Sequence, residues 1–220
     1  MLYINSKSIK ENNEIVKCNL NYPFIKKQEY KKKIISVINQ LIYEDVISFK
    51  NVMNDDLSKC RFNDIFNIIS EYKIAFNEND IISIPIEFSQ LIGLYDITYV
   101  NCYNYDIGLG QYISLRDIFD TTTNIRDIIN ENISNEINII TNKYCNSYED
   151  YDKANKFKNI YDDQDFYIEE DGVVICFSSY EMSKYIPHFI EIKLLFSDYK
   201  DYLSKYTINN IWKNRDKVTN

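Results

Sequence analysis

The sequence predicts an α+β fold in which antiparallel sheets pack against two long helices. Three observations predict it. Two stretches, Gln28 to Val52 and Ile125 to Tyr144, carry apolar residues at helical spacing; period-two segments run from Phe66 to Ile107; and Phe166 to Leu203 reads as strand, turn, strand, bend and strand. A chain of 220 residues suits one large domain or two small ones. At that size roughly 70% of the unfolded surface is buried, so no disulfide or metal staple is required.

In chain order, the alternating stretches Leu2 to Ile9 and Glu14 to Leu20 flank Glu11-Asn12-Asn13 and predict a hairpin or two edge strands, with Pro23 ending the second. In the first long helix Tyr30, Ile34, Ile38, Leu41, Ile42, Val46 and Phe49 form one buried stripe, while Lys31, Lys32, Glu44 and Lys50 fall off it. Asn54 to Lys59 is the polar link out. Phe66, Ile68, Ser70, Tyr72, Ile74 and Phe76 alternate, a polar turn spans Asn77 to Asp80, and Ile82, Ile84, Ile86 and Phe88 resume the period. Pro85 lacks the N–H that a ladder needs, which puts it on an edge or at a bulge. A third run, Ile97 to Ile107, continues the meander after Gly93 and turns at Gly108 and Gly110.

Ser114 to Phe119 reads as a helical turn capped by Ser114, with Asp117 at the third helical position as the carboxylate form of a capping box. The second long helix follows Asp120 or one of Thr121 to Thr123. It buries Ile125, Ile129, Ile133, Ile137, Ile140 and Tyr144 and turns Arg126, Asp127, Glu131 and Asn135 outward. Ser147 to Asp163 is a polar loop with a short irregular helix. The closing unit turns at Asp171-Gly172, and Tyr206 to Asn220, which holds Trp212, is a docked or fraying tail.

Charge and cysteine usage narrow the function classes. The net charge of -8 argues against a nucleic-acid partner, since phosphate recognition rests on clustered cations. The one basic cluster, Lys26, Lys27, Lys31, Lys32 and Lys33, reads as the solvated start of a helix. A cationic partner suits the balance, as does plain solubility. The five cysteines, Cys18, Cys60, Cys102, Cys145 and Cys176, form no Cys-x-x-Cys pair and read as core residues or free thiols. No apolar run long enough for a membrane span and no leader pattern occurs, so the chain reads as cytoplasmic if complete.

No catalytic, cofactor or metal constellation emerges. His188, the only histidine, stands in a bend without a nucleophile signature. Asp162, Asp163, Asp165, Glu169, Glu170 and Asp171 lack calcium-loop spacing and read as a solvated turn. Gly108-Leu109-Gly110 is a turn rather than a dinucleotide fingerprint. Tyr95, Tyr99, Tyr103, Tyr105, Tyr112, Tyr167, Tyr180 and Tyr185 crowd the meander and the closing unit. Such rings suit a protein-binding surface, and suit plain sheet packing better in a chain whose Asn, Ile, Lys and Tyr excess follows an AT-rich genome.

Four segments in order, NYPFIKKQEYKKKIISVINQLIYEDVISF, IISIPIEFSQLIG, NYDIGLGQYISLRDIF and FYIEEDGVVICFSSYEMSKYIPHFIEIKLLFSDYKDYL, resemble the paired domains of RsiV-like and deacetylase-PdaC-like bacterial proteins. The matching residues are Tyr22, Pro23, Gly93, Asn104, Asp106, Gly108 or Gly110, Leu115, Asp117, Phe119, Gly172, Phe177, Tyr180, Glu181, Tyr199 and Leu203. The resemblance implies a PdaC-like subdomain over residues 1–110 and an RsiV-like one over 111–220, together one compact unit. It also implies an extracytoplasmic, non-enzymatic binding domain whose partner is a cationic protein such as lysozyme, or cell-wall fragments. A domain acting on cell-wall glycan and a cytoplasmic interaction protein are the alternatives. Partner contacts are expected at Tyr95, Asp96, Tyr99, Glu169, Glu170, Asp171, Tyr180 and Tyr185.

Overall fold

The computed structural model describes residues 1–26, 31–57, 66–92, 95–122, 124–144, 157–161, 163–178 and 189–212. The chain divides into two compact units, Met1–Gln111 and Tyr112–Asn220. It is mixed α+β, with mostly antiparallel sheets and, among the described residues, four helices of which two are long.

In the first unit the alternating stretches become β1 (Ile4–Asn12) and β2 (Val16–Ile25), an antiparallel hairpin closed by Asn13, whose Oδ1 accepts from the amides of Ile15 and Val16 at 2.9 and 2.7 Å. Pro23 does not end β2, because of where its nitrogen points. Ile25, two residues on, turns its amide and carbonyl away from β1 to the side chain of Asn39, both at 2.8 Å. Pro23 has the same parity, so its ring nitrogen also faces away from β1 and no β1–β2 bond is lost.

Helix α1 (Lys32–Leu57) then carries the chain to β3 (Phe66–Tyr72). β3 pairs parallel with β2, Val16 opposite Phe66. This corrects the expectation of purely antiparallel sheets: a strand reached through a long helical crossover returns in the same direction as the one it left. α1 also extends five residues past the expected end at Val52, through the polar segment to Leu57. Its buried face is Ile35, Ile38, Ile42, Val46 and Phe49; Leu41 lies on the flank of that stripe and is 38% exposed.

The expected strand from Phe66 to Phe76 is broken. β3 ends at Tyr72 opposite Ile86, and β4 (Phe76–Glu78) resumes opposite Ser83, so three residues, Lys73 to Ala75, face two of β5 (Ile81–Ile92). Pro85 sits at that bulge. Its carbonyl accepts from Lys73 at 3.3 Å, so its proton-less nitrogen faces the interrupted side of the ladder. Asn79 and Asp80 supply the two left-handed residues of the β4–β5 turn, with φ 48° and 63°. β6 (Tyr95–Asp106) pairs with β5 along its length, a turn follows at Ile107 to Gly110, and β7 (Gln111–Tyr112) ends the sheet path β1-β2-β3-β5-β6-β7. Gly110 takes φ 72°, a conformation that side-chain-bearing residues resist.

In the second unit α2 (Leu115–Ile118) opens as its sequence predicts: the Ser114 amide and hydroxyl donate to Asp117 Oδ2 at 2.8 and 2.7 Å. α3 (Ile125–Tyr144) buries Ile125, Ile129, Ile133 and Ile137. β8 (Phe166–Ile168), β9 (Gly172–Phe177) and β10 (Ile190–Leu195) form an antiparallel sheet in the order β10-β9-β8. Gly172 opens β9 rather than completing a turn at Asp171-Gly172. It lies so close to β10 that a Cβ there would stand 2.4 Å from the Leu194 carbonyl oxygen.

A 3-10 turn, Lys200–Tyr202, leads to α4 (Lys205–Asn210), a helix where the sequence predicted only a tail. Ser204 caps α4, accepting from the Thr207 amide at 3.1 Å, and its hydroxyl donates to the Asp117 carbonyl of α2 at 2.5 Å. Ile211 and Trp212 are buried, the indole 6.2 Å from the Phe196 ring.

Candidate functional site

Strand period sets the chemistry of β10. Ile190, Ile192 and Leu194 turn inward and are buried, leaving Glu191, Lys193 and Leu195 on the outer face. The loop between β8 and β9 brings two carboxylates to the middle of that face: Lys193 Nζ lies 2.8 Å from Glu169 Oε2 and 2.7 Å from Asp171 Oδ1. The hydrogen bonds to Asp171 and then Glu169 hold the Lys193 ammonium above the usual lysine range. Glu191 accepts a hydrogen bond from the Tyr167 hydroxyl at 3.0 Å. Burial, and then the charge of Glu191, push that phenol well above the usual tyrosine range, so Tyr167 stays protonated as the donor.

Beside β10 lies a groove of about 560 Å³. Asn132, Asn135, Glu136 and Ile140 of α3 form one wall, Glu191 to Leu195 form the other, and Asp198 and Tyr199 complete it. The Asn132 amide donates to the Tyr199 hydroxyl. All five residues from Glu191 to Leu195 touch the groove, although successive side chains leave a strand on opposite faces. A cavity that meets them all therefore runs along the edge of the strand. Besides Tyr199, the ionisable residues of its wall are Glu136, Glu191, Asp198 and Lys193, and Lys193 is the one already gripped by two carboxylates.

Two other polar arrangements stand apart from it. In the first unit Asp45 of α1 accepts from Tyr103 at 2.5 Å and from Asn101 at 3.3 Å, both on β6, which pins the helix to the sheet. In the second unit an apolar cavity of about 340 Å³ is lined by Phe119, Ile125, Ile129 and Ile160 with Arg116 and Arg126; the Arg126 guanidinium donates to the Ile160 carbonyl at 2.7 Å. Among the described residues no group of three or more His, Cys, Asp or Glu could hold a metal ion, and no helix is long and apolar enough to cross a membrane.

The expected partner residues are dispersed. Glu169 and Asp171 meet on Lys193, and Glu170 is exposed beside them in the same loop. Tyr99 packs into the first unit's core, stacked on Phe88 with ring centroids 5.2 Å apart and edge-on to Phe49 at 5.9 Å. Tyr95 and Asp96 belong to β6, but their side chains, like Tyr180, Tyr185, Gly93 and His188, lie outside the described residues. Of the other tyrosines, Tyr103 and Tyr167 are buried and Tyr112 is exposed. Cys18 and Cys176 are buried and Cys102 half-buried, none of them in a disulfide, while Cys60 and Cys145 lie outside the described residues. Sequence reading missed Glu136, Glu191 and Asp198. Glu191 carried a signal, as a polar outward position in the alternating run Ile190 to Leu195; Glu136 and Asp198 carried none, because only the packing of α3 beside β10 brings them together.

Comparison with known proteins locates this unit. Residues 116–197 match DUF3298, a family described as a protein of unknown function. The matched segment runs from α2 through β10 into the turn after it, and contains the groove's lining residues except Asp198 and Tyr199. Two solved structures of DUF3298 proteins share the fold along nearly the whole chain. One, from Bacteroides fragilis NCTC 9343, has a TM-score of 0.65 and 15% identity, covering 97% of this chain and 98% of that one. The other, from Pseudomonas aeruginosa PAO1, has a TM-score of 0.59 and 11% identity over 94% of each chain. None of the curated proteins compared matches the chain.

Proposed function

We propose that this chain is a non-enzymatic binding module whose β10 groove receives a positively charged surface of a partner protein. The observation that carries the reading is the groove itself, which is lined by Glu136, Glu191 and Asp198 while its lysine is paired with Glu169 and Asp171. Charge at such a surface steers encounter and sets salt dependence. The net charge of -8 acts in the same direction. The resemblance of the four sequence segments to RsiV-like and PdaC-like domains makes lysozyme the first cationic protein to try, with cell-wall fragments as the second ligand class.

Titration calorimetry at low and moderate salt tests this. The expected result is lysozyme binding that weakens as salt rises, with Glu136→Gln, Glu191→Gln and Asp198→Asn together weakening it by about tenfold, or ~1.4 kcal/mol. Absence of binding at both salt concentrations overturns the lysozyme reading, and binding unchanged in the triple variant overturns the groove as its site.

A further inference from the structure

The groove lies against the edge of a strand, and the register of the sheet says which main-chain groups face it. The Cys176 amide donates to the Asp165 carbonyl at 2.8 Å and the Glu169 amide to the Gly172 carbonyl at 2.9 Å, so residues of even number in β9 bond toward β8. Phe177, Ile175 and Val173 therefore bond toward β10, where they stand opposite Ile190, Ile192 and Leu194. The Phe196 amide, donating to the Asp171 carbonyl at 2.8 Å, continues the same parity. Lys193 and Leu195 consequently turn their main-chain groups to the other side, along the groove. The Leu195 carbonyl accepts from the Asp198 amide at 3.1 Å. The Lys193 amide and carbonyl and the Leu195 amide have no partner among the described residues.

Natural edge strands are usually blunted by proline, a bulge, a charged side chain such as lysine or a covering element, because unpaired amides template pairing with another chain; the lysine of β10, Lys193, has its ammonium drawn onto Glu169 and Asp171. Between Ile190 and Leu195 there is no proline, and the pairing with β9 is unbroken. Resting on the cationic-partner reading above, we infer that the partner enters the groove as an extended segment that adds a strand to β10. Its main chain pairs with Lys193 and Leu195, and lysine or arginine at alternate positions faces Glu136, Glu191 and Asp198. Main-chain pairing supplies affinity in this mode, and the side-chain alternation supplies selectivity. Charge complementarity selects the occupant: three carboxylates on the walls favour a basic segment over an acidic or neutral one.

A short synthetic peptide of alternating lysine and threonine, labelled for fluorescence anisotropy, tests the mode. Lys193→Pro removes an amide that faces the groove and leaves the β9 ladder intact, since proline is tolerated on an edge strand whose N–H faces outward. Lys193→Ala is the control for the lost ammonium. The inference expects Lys193→Pro to bind at least tenfold more weakly than Lys193→Ala, which also lacks the ammonium but keeps the amide, and expects neither a main-chain N-methylated peptide nor a glutamate-for-lysine peptide to bind. Should Lys193→Pro not fold, hydrogen exchange on the unaltered chain replaces it, with the Lys193 and Leu195 amides expected to slow at least tenfold when peptide is added. Equal binding by the methylated peptide, or unchanged exchange at both amides, overturns strand addition and leaves the cationic groove standing. Equal binding by the glutamate peptide overturns the basic occupant. If neither peptide nor lysozyme binds, both readings fall.

Discussion

Gly172 shows how a single residue can be demanded by approach rather than by backbone angle. Its position in β9 requires no left-handed conformation, yet the Leu194 carbonyl oxygen would stand 2.4 Å from a Cβ, and the neighbouring backbone atoms of Leu194 and Leu195 at 3.2 Å. These are main-chain atoms of a paired strand and cannot step aside as a flexible side chain would. Gly172→Ala is therefore expected to destabilise the chain by about 1–3 kcal/mol, in the range of overpacking. The midpoint of urea unfolding measures this, and an unchanged midpoint would mean that β10 yields. The glycine was visible in the sequence, but read as a turn residue. Its reason lies across the sheet on a strand whose register no local pattern announces.

At the scale of elements, legibility followed length and amphipathicity. α3 was readable because Ile125, Ile129, Ile133 and Ile137 recur over several turns, and α2 because Ser114 and Asp117 carry their capping chemistry locally. α4 was not: of its six residues only Thr207 is buried, and such a short segment is marginal by itself. Tertiary bonds supply what propensity lacks, since the Ser204 hydroxyl reaches the Asp117 carbonyl and Thr207 Oγ1 donates to the Ile118 carbonyl at 2.8 Å. Ser204→Ala removes both the cap of α4 and its tie to α2, and should cost about 1–2 kcal/mol by chemical denaturation. Ser204→Thr should recover part of the loss; equal loss in both variants would assign the effect to packing rather than to the hydroxyl. The parallel pairing of β2 with β3 escaped for a related reason, because strand direction is set by the α1 crossover and not by alternation within either strand.

For the molecule as a whole, buried phenols link stability to alkaline pH. Burial is the leading cause that raises Tyr22, Tyr103 and Tyr105 in the first unit and Tyr167 and Tyr199 in the second. Each folded-state phenol holds its proton more tightly than the unfolded chain does. Their contribution is thus fully present below the unfolded tyrosine pKa of about 10 and is lost as pH rises beyond it. Denaturant midpoints should stay level to about pH 9 and then fall, with tyrosinate absorbance appearing together with unfolding rather than before it. Early tyrosinate absorbance in a chain that remains folded, beyond that of the exposed rings, would show that these phenols are not shielded.

Composition and local period determined a good deal alone: an acidic α+β chain, two long amphipathic helices, a β meander with Pro85 at an interruption, and a closing three-strand unit. Those features are short-range, written in spacings of two and between three and four. The acidic groove was decided only by tertiary structure. Glu136 comes from α3, Glu191 from β10 and Asp198 from the turn beyond, and Lys193 is matched by a loop more than twenty residues upstream. Their convergence depends on strand register and on the placement of α3 beside an open edge. Those are non-local quantities, set by how apolar faces pack and not by any residue's neighbours in the chain.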